Sequence, residues 1–469
     1  MKKDRNLQRD SLDFRGGKIP ALFRAILIPT LIAMFFNMAL TVIDGVFVGQ
    51  GVGAAGIAAV NIVVPMYMIT TGIAMMFSVG ASVIASIRLS ENNVKAANII
   101  MTQAFIAGTL CVGMLCLLMT LFTRPIVEAM GATPHIIDDS MAYMLWMQPG
   151  ILLLGVQYVG MMLIRLDGSP RYAMWIQVVS AVLNIFLDWL LVFPFGMGVS
   201  GAAIATSFSC VVGGCMALLY FLKFSNTLHF YRLKTTLTSL LLSLRNTGYM
   251  AKIGFATLLT ELAMSIMILT GNLCFKKLLG DDGVAAFAIA CYLFPLVFSI
   301  GNAVAQSAQP IMSFNYGAHL AERVRNTLRI ALVTAGLFGA AITVALALFS
   351  GHVSALFLST DEPAYLLAKE GLPVFGICAV FFSLNVTFIG YYQNIERPGI
   401  STLYTVLRGI VLLVPAFILL PGFMGTHGLW FAIPLAEIIT CAIIIAHYKI
   451  AGNRFITKQL PGNQESLML

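Results

Sequence analysis

Twelve apolar runs, each long enough to cross a lipid bilayer, dominate this sequence and leave it few folds. A helix needs about 20 mostly apolar residues to cross the hydrocarbon core of a membrane. Runs that meet this length lie at 22–48, 54–87, 97–123, 138–164, 172–194, 199–223, 249–275, 283–314, 327–349, 364–392, 399–420 and 427–448. Of 469 residues, 59% are hydrophobic and 10% are charged, whereas roughly 25% of a soluble domain is charged. No water-facing surface can be built from so few charges. Where hydrocarbon is the solvent, each backbone N–H and C=O must be satisfied within the chain, so runs of this length must be helices. An all-α integral membrane fold follows.

The basic residues orient it. Met1 to Lys18 is polar and carries Lys2, Lys3, Arg5, Arg9, Arg15 and Lys18. The run that follows is too long for a signal-peptide core and has no small-x-small site near its end, so it reads as the first span. With the N-terminus in the cytoplasm, basic residues gather after the even-numbered spans. They are Arg88 and Lys95, Arg165 and Arg171, the centre of the chain, Arg323, Arg325 and Arg329, Arg397 and Arg408, and the tail. Of 28 Lys and Arg, only Arg124, Lys276, Lys277 and Lys369 fall on the other side. This bias places both termini in the cytoplasm. It also accounts for the net charge of +8 without a nucleic-acid partner. Every Lys and Arg is thereby assigned to a loop or a span end. The eight Cys lie in apolar stretches without a C-x-x-C pair, and the six His lack metal-ligand spacing. They read as packing and loop residues, and no resident cofactor is expected.

The longest polar interruption, Ser225 to Thr247, lies mid-chain, and the stretches on either side of it resemble each other. Gly53, Ala55, Ala58 and Pro65 match Gly283, Ala285, Ala288 and Pro295 at an offset of 230, and Pro194, Gly198 and Gly201 match Pro421, Gly425 and Gly428 at 227. The division predicted is an N-lobe over 1–224, a cytoplasmic linker at 225–247, a C-lobe over 248–450 and a tail at 451–469. Both lobes start on the same side, so the repeats are parallel, as in transporters that bind substrate between two halves.

Four acids lie well inside spans: Asp44, Asp188, Glu261 and Glu437. An ionised carboxylate at mid-bilayer costs roughly 2.5–3.5 kcal/mol on insertion scales, so each must be protonated, hold a cation or face water. Asp44 precedes Gln50 by six residues and Asp188 precedes Pro194 by six, which sets both about 9 Å below the outer boundary. Asn184 is one turn from Asp188 on the same face, and Thr206 reaches a similar depth in span 6. Oxygen ligands of this kind suit Na⁺ or a proton. Pro29 removes a helix hydrogen bond 15 residues before Asp44 and predicts a bend in span 1.

These residues carry a family resemblance. The stretch Pro29 to Asp44, Gly49-Gln50-Gly51-Val52-Gly53, Pro65, Gly168-Ser169-Pro170, Asn184 with Asp188, and Gly198-Val199-Ser200-Gly201-Ala202-Ala203 leading to Thr206 occur in order over nearly all twelve spans. Together they resemble a multidrug and toxic compound extrusion (MATE) transporter of the prokaryotic multidrug-pump branch. The resemblance implies two parallel six-helix lobes and a monomer in the bacterial inner membrane. It also implies antiport, in which H⁺ or Na⁺ entry drives export of amphipathic, often cationic drugs, with antibiotic resistance as a consequence. By the same resemblance, Asp44, Asn184, Asp188 and Thr206 would hold the coupling ion, with Tyr143 as a supporting hydroxyl. Glu261 matches an acid of span 7 in other members, but span 10 offers Asn385 where they carry a second acid, so a complete C-lobe cation site is in doubt. Glu261 and Asn385 are left as substrate or C-lobe cation candidates, and Glu437 reads as structural.

Other classes fit less well. A lipid-linked sugar or metabolite flippase of the same superfamily would want bases inside its cavity, and none is assigned there. A major facilitator transporter would carry a Gly- and Arg-rich loop where Arg88 to Lys95 stands. A membrane enzyme would need metal-spaced His or a nucleophile beside a base, and neither is present.

Overall fold

The structure, a computed structural model, describes residues 12–457. Lys2, Lys3, Arg5, Arg9 and Lys458, counted above as cytoplasmic, lie outside the described residues, as does the expected tail from 458 onward. Twelve helices are long and apolar enough to cross a membrane, one for each predicted run. They are α1 (Ile19–Val52), α2 (Ala55–Ser90), α3 (Val94–Leu121), α4 (Ile137–Leu166), α5 (Pro170–Val192), α6 (Gly198–Phe224), α7 (Leu237–Gly280), α8 (Asp282–Gly317), α9 (Ala321–Ala355), α10 (Pro363–Asn394), α11 (Pro398–Met424) and α12 (Thr426–Ile450). Local chemistry sets the ends. Asn93 caps α3 by accepting from the Ala96 N–H at 3.0 Å. Pro170, Pro363 and Pro398 open α5, α10 and α11, where the missing N–H costs nothing.

One boundary differs. α7 starts at Leu237, inside the segment expected to be a polar linker. The Thr236 hydroxyl accepts from the Ser239 N–H and caps it. Leu237, Leu240, Leu241 and Leu244, at helical spacing, point outward and are exposed. The opposite face binds α3, where Gln103 donates to Ser243 at 2.9 Å and accepts from Asn246 at 3.1 Å. A polar-in, apolar-out helix inverts the soluble pattern and suits lipid. Its composition hid it, because the serines that read as loop face protein. Elsewhere too, large apolar side chains such as Leu110, Phe195, Leu337 and Phe423 stay exposed, a liability in water and a requirement in hydrocarbon.

The duplication shows in the backbone. Gly53 and Gly280 have positive φ at an offset of 227, as do Asn92 with His319 and Gly198 with Gly425; Gly168 and Glu396 repeat it at 228. Left-handed residues end helices and are rare without cause, so four corners recurring in order are a copied path. They also correct the register at the first corner. The left-handed counterpart of Gly53 is Gly280, not Gly283, because the turn and not the sequence match carries the constraint.

By internal packing the chain divides into two units. The first runs through Leu258 and adds Ser313–Ala318, and the second holds Leu259–Met312 and continues from His319. The first unit therefore reaches past 225–247 and takes in the first turns of α7. Its core includes Val63, Val112, Met119, Met144 and Ile151. The second is built on aromatics, with Phe275 stacked on Phe287 at 4.6 Å and edge-on to Trp430 at 5.0 Å.

Asp167, at the α4–α5 corner, holds the chain that leaves α6. Its carboxylate accepts from the Tyr220 hydroxyl at 2.7 Å and from the N–H groups of Asn226, Thr227 and Leu228 at 2.9, 2.9 and 3.0 Å. Asp167→Ala would strand these donors, and we expect it to destabilise the first unit by about 3 kcal/mol, read as a lower thermal unfolding midpoint in detergent. An unchanged midpoint would contradict this role.

Candidate functional site

The polar site of the first unit is assembled by two parallel helix faces. On α1, Asn37, Thr41 and Asp44 share a face by their spacing. On α5, Gln177, Ser180, Asn184 and Asp188 do the same, and all four are buried. Asn184 and Asp188 are 0% exposed. The carboxyls of Asp44 and Asp188 lie within hydrogen-bonding reach of each other, and a bond between them requires a proton on one. With its nitrogen turned to the carboxyl, the Asn184 amide donates to Asp188 Oδ2 at 3.0 Å. Its oxygen then accepts from the Thr206 N–H at 3.0 Å and from the Thr206 hydroxyl at 3.1 Å. Tyr143, buried on α4, lies within electrostatic reach of both carboxyls. All five N-lobe residues singled out from sequence thus occupy one locality. Pro29 lies inside α1, through which the helix continues.

Two features decide what the site can do. Asp44 Oδ1 and Asp188 Oδ1 are buried and have no hydrogen-bond partner. An unmet buried acceptor costs about 1–3 kcal/mol, more when charged, so a cation placed between the two would gain what they lack. The donors are all oxygens, a hard set that suits a proton or Na⁺. Among the described residues, no three or more His, Cys, Asp or Glu gather as a transition-metal site would need.

Sequence reading missed the supports. Gln177 donates to Asn37 at 2.9 Å, and Gln157 on α4 donates to Gln177 at 3.3 Å. Uncharged amides carry no insertion penalty large enough to flag them. The available signal was position, since Asn37 and Gln177 stand seven residues before Asp44 and Asn184.

The second unit differs from expectation. Asn385, paired with Glu261 as a candidate, instead donates to Glu437, to Oε2 at 2.7 Å and to the backbone carbonyl at 2.9 Å. Glu437 Oε1 accepts from Arg408 at 2.6 Å. Arg408 was assigned to a loop, yet it is 4% exposed and lies within α11, in a π-helical turn at Leu407–Val411. The assignment of all bases to loops fails here, because a nearby carboxylate makes a buried guanidinium tolerable. Arg165, at the end of α4, is buried as well. Glu261 remains partly buried on α7.

The MatE family profile matches residues 29–190 and again 256–418. The chain belongs to the MatE family. The two matches cover the two halves of the duplication. Multidrug export protein MepA of Staphylococcus saprophyticus is 24% identical over 426 residues, 89% of this chain and 90% of that protein. An outward-facing multidrug resistance MATE family transporter of the MOP superfamily superposes with a TM-score of 0.87 at 21% identity, over 94% of this chain and 98% of that one. A variant of the Vibrio cholerae MATE transporter VcmN gives 0.86 at 20%, over 94% and 99%. These structures share the fold of this MATE-family transporter.

The repeat offset then shows how unequal its halves are. The counterparts of Asp44 and Thr206 are Gly271 and Ile433, and those of Asn184 and Asp188 fall in the apolar stretch 411–416. Conversely, Asn385, Arg408 and Glu437 stand where the first half has Gln157 or Tyr158, Ser180 or Ala181, and Cys210. Each half keeps a polar cluster, at a different place and of a different charge. Because an amide at position 44 donates to Asp188 without a shared proton, we expect Asp44→Asn to raise the unfolding midpoint in detergent, a gain of about 1 kcal/mol. A fall would contradict the carboxyl contact.

Proposed function

We propose that the chain is a cation-coupled multidrug exporter of the cytoplasmic membrane of a bacterium. It works as a monomer with both termini inside and is not an enzyme. By alternating access it exchanges H⁺ or Na⁺ for amphipathic, often cationic compounds. The observation that carries this reading is the contact of Asp44 with Asp188, with one buried, partnerless oxygen on each. Asp44, Asn184, Asp188 and Thr206 hold the coupling ion and Tyr143 supports them. The relative named a multidrug export protein supports the direction and class of transport.

The physics of exchange follows from charge. With a cation bound, the two carboxyls are neutralised and the site is stable in a low dielectric. Without it, two buried acids in contact repel each other, which favours whichever state lets a cationic compound or water reach them. Each ligand biases the equilibrium by its differential affinity for the two states, so cation and cargo drive one another in opposite directions. Pro29, which breaks the hydrogen-bond ladder of the helix bearing Asp44, gives α1 a place to bend as the site loads. A flippase for phosphate-linked sugars is not favoured: a phosphate calls for several bases, and Arg408, buried within α11, shares its charge with Glu437.

The test is ethidium accumulation in cells expressing matched amounts of the wild type and Asp188→Asn. Wild-type cells should stay dim and Asp188→Asn cells should fill like cells without the protein. Undiminished efflux by Asp188→Asn would overturn the site.

A further inference from the structure

The connection between α6 and α7, in the first unit, is basic without a balancing acid. At the corners after spans 2, 4, 8 and 10 each group of bases includes an acid: Glu91 near Arg88, Asp167 near Arg165, Glu322 beside Arg323 and Glu396 beside Arg397. From Trp189 to Thr260 there are five Lys or Arg and no Asp or Glu. We propose that this corner binds an anionic phospholipid, with Arg232, Lys234 and Arg245 on the phosphate of its headgroup and the leucines at the start of α7 along its acyl chains. The orientation proposed above makes this a lipid of the inner leaflet; binding itself does not depend on that reading.

Three observations support it. First, the bases are open and gathered. Arg232, Lys234 and Arg245 are exposed, and among the described residues none of them is in an ion pair. The Tyr231 N–H donates to Thr102 at 2.9 Å, and the Asn246 amide donates to Gln103 at 3.1 Å. The chain neighbours of Arg232 and Arg245 thus bond to consecutive residues of α3, which brings both bases to one place. Acids from other elements are taken: Glu91 pairs with Arg88 at 2.8 Å, and Asp167 accepts from Tyr220 and from three N–H groups.

Second, the connection is fixed before anything binds. Beyond the N–H groups that Asp167 holds, Asn98 accepts from the His229 N–H at 2.9 Å, and Phe230 packs on Phe105 with ring centres 5.2 Å apart. Tyr231 and Leu233 are half-buried while Arg232 and Lys234 are exposed, the alternation of a chain run flat over protein. A site already ordered loses little conformational entropy when it is filled.

Third, an apolar stripe lies at a matching depth. Leu237, Leu240, Leu241 and Leu244 are each more than half exposed. Ser243 and Asn246 bond to Gln103, about two and a half turns into α3, so the leucines run beside the first apolar turns of that helix. Arg245 follows Leu241 by one turn on the same face. An exposed apolar helix face bordered by bases is the pattern that holds an anionic lipid surface, and long basic side chains reach from apolar surface to headgroups. A free phosphate would leave the leucines unused, and a zwitterionic lipid would leave the bases unbalanced.

The test is lipid binding to the full chain, purified and stripped of lipid in detergent, with bound lipid counted by native mass spectrometry. Dioleoylphosphatidylglycerol and dioleoylphosphatidylcholine share their chains and differ in headgroup charge. The wild type should bind the first about tenfold or more tighter than the second. In Arg232→Gln with Lys234→Gln and Arg245→Gln, the preference should fall to about twofold or less. It should persist in Lys18→Gln with Arg329→Gln and Lys449→Gln, a variant that removes three exposed bases elsewhere. Four results would each overturn the proposal: equal binding of the two lipids by the wild type, a preference that survives in the first variant, an equal loss in the second, or displacement of phosphatidylglycerol by equimolar glycerol phosphate, which lacks the chains. No transport is measured, so ethidium efflux can fail or hold independently of this result.

Discussion

Hydrocarbon offers no hydrogen bonds, and both the helices of this protein and its few buried charges answer to that constraint. Twelve helices satisfy the backbone internally, and side-chain polar groups survive at depth only where they meet each other. Asn184 bridges Asp188 and Thr206, Gln177 bridges Gln157 and Asn37, and Glu437 bridges Arg408 and Asn385. Among the buried atoms left without a partner are Asp44 Oδ1 and Asp188 Oδ1, the two that a cation would satisfy.

Duplication gives the chain two copies of a path and lets the copies diverge in chemistry. Four left-handed corners keep the register, because a changed turn would redirect every helix after it. Nothing comparable protects the interior positions. One half holds two acids where the other has glycine and aliphatic residues, and the other holds an ion pair where the first has uncharged residues. The polar clusters of the two halves differ in place and in charge as a result.

Much of this was legible in the sequence, for identifiable reasons. Span count and helical class depend on length and periodicity, which sequence records directly; depth set Asp44, Asn184, Asp188 and Thr206 at one level, and the family resemblance grouped them. What escaped depends on partners brought from elsewhere in the chain. Arg408 looks like a loop residue until Glu437, from the next helix, neutralises it. The start of α7 looks like linker until Ser243 and Asn246 find Gln103. Gln157, Gln177 and Asn37 carry no charge and so gave no warning of depth. The register at Gly53 failed by three residues because composition matched Gly283 while backbone geometry required Gly280.

The most direct measurement of the central claim is cation counterflow in proteoliposomes. Ethidium movement through the purified protein would be recorded together with internal pH and with ²²Na⁺ content, in the absence of any imposed gradient other than that of the dye. Coupling at Asp44 and Asp188 predicts that one of the two cations moves opposite to the dye and that its movement stops when the dye gradient is spent. Dye movement with neither cation crossing would contradict the account.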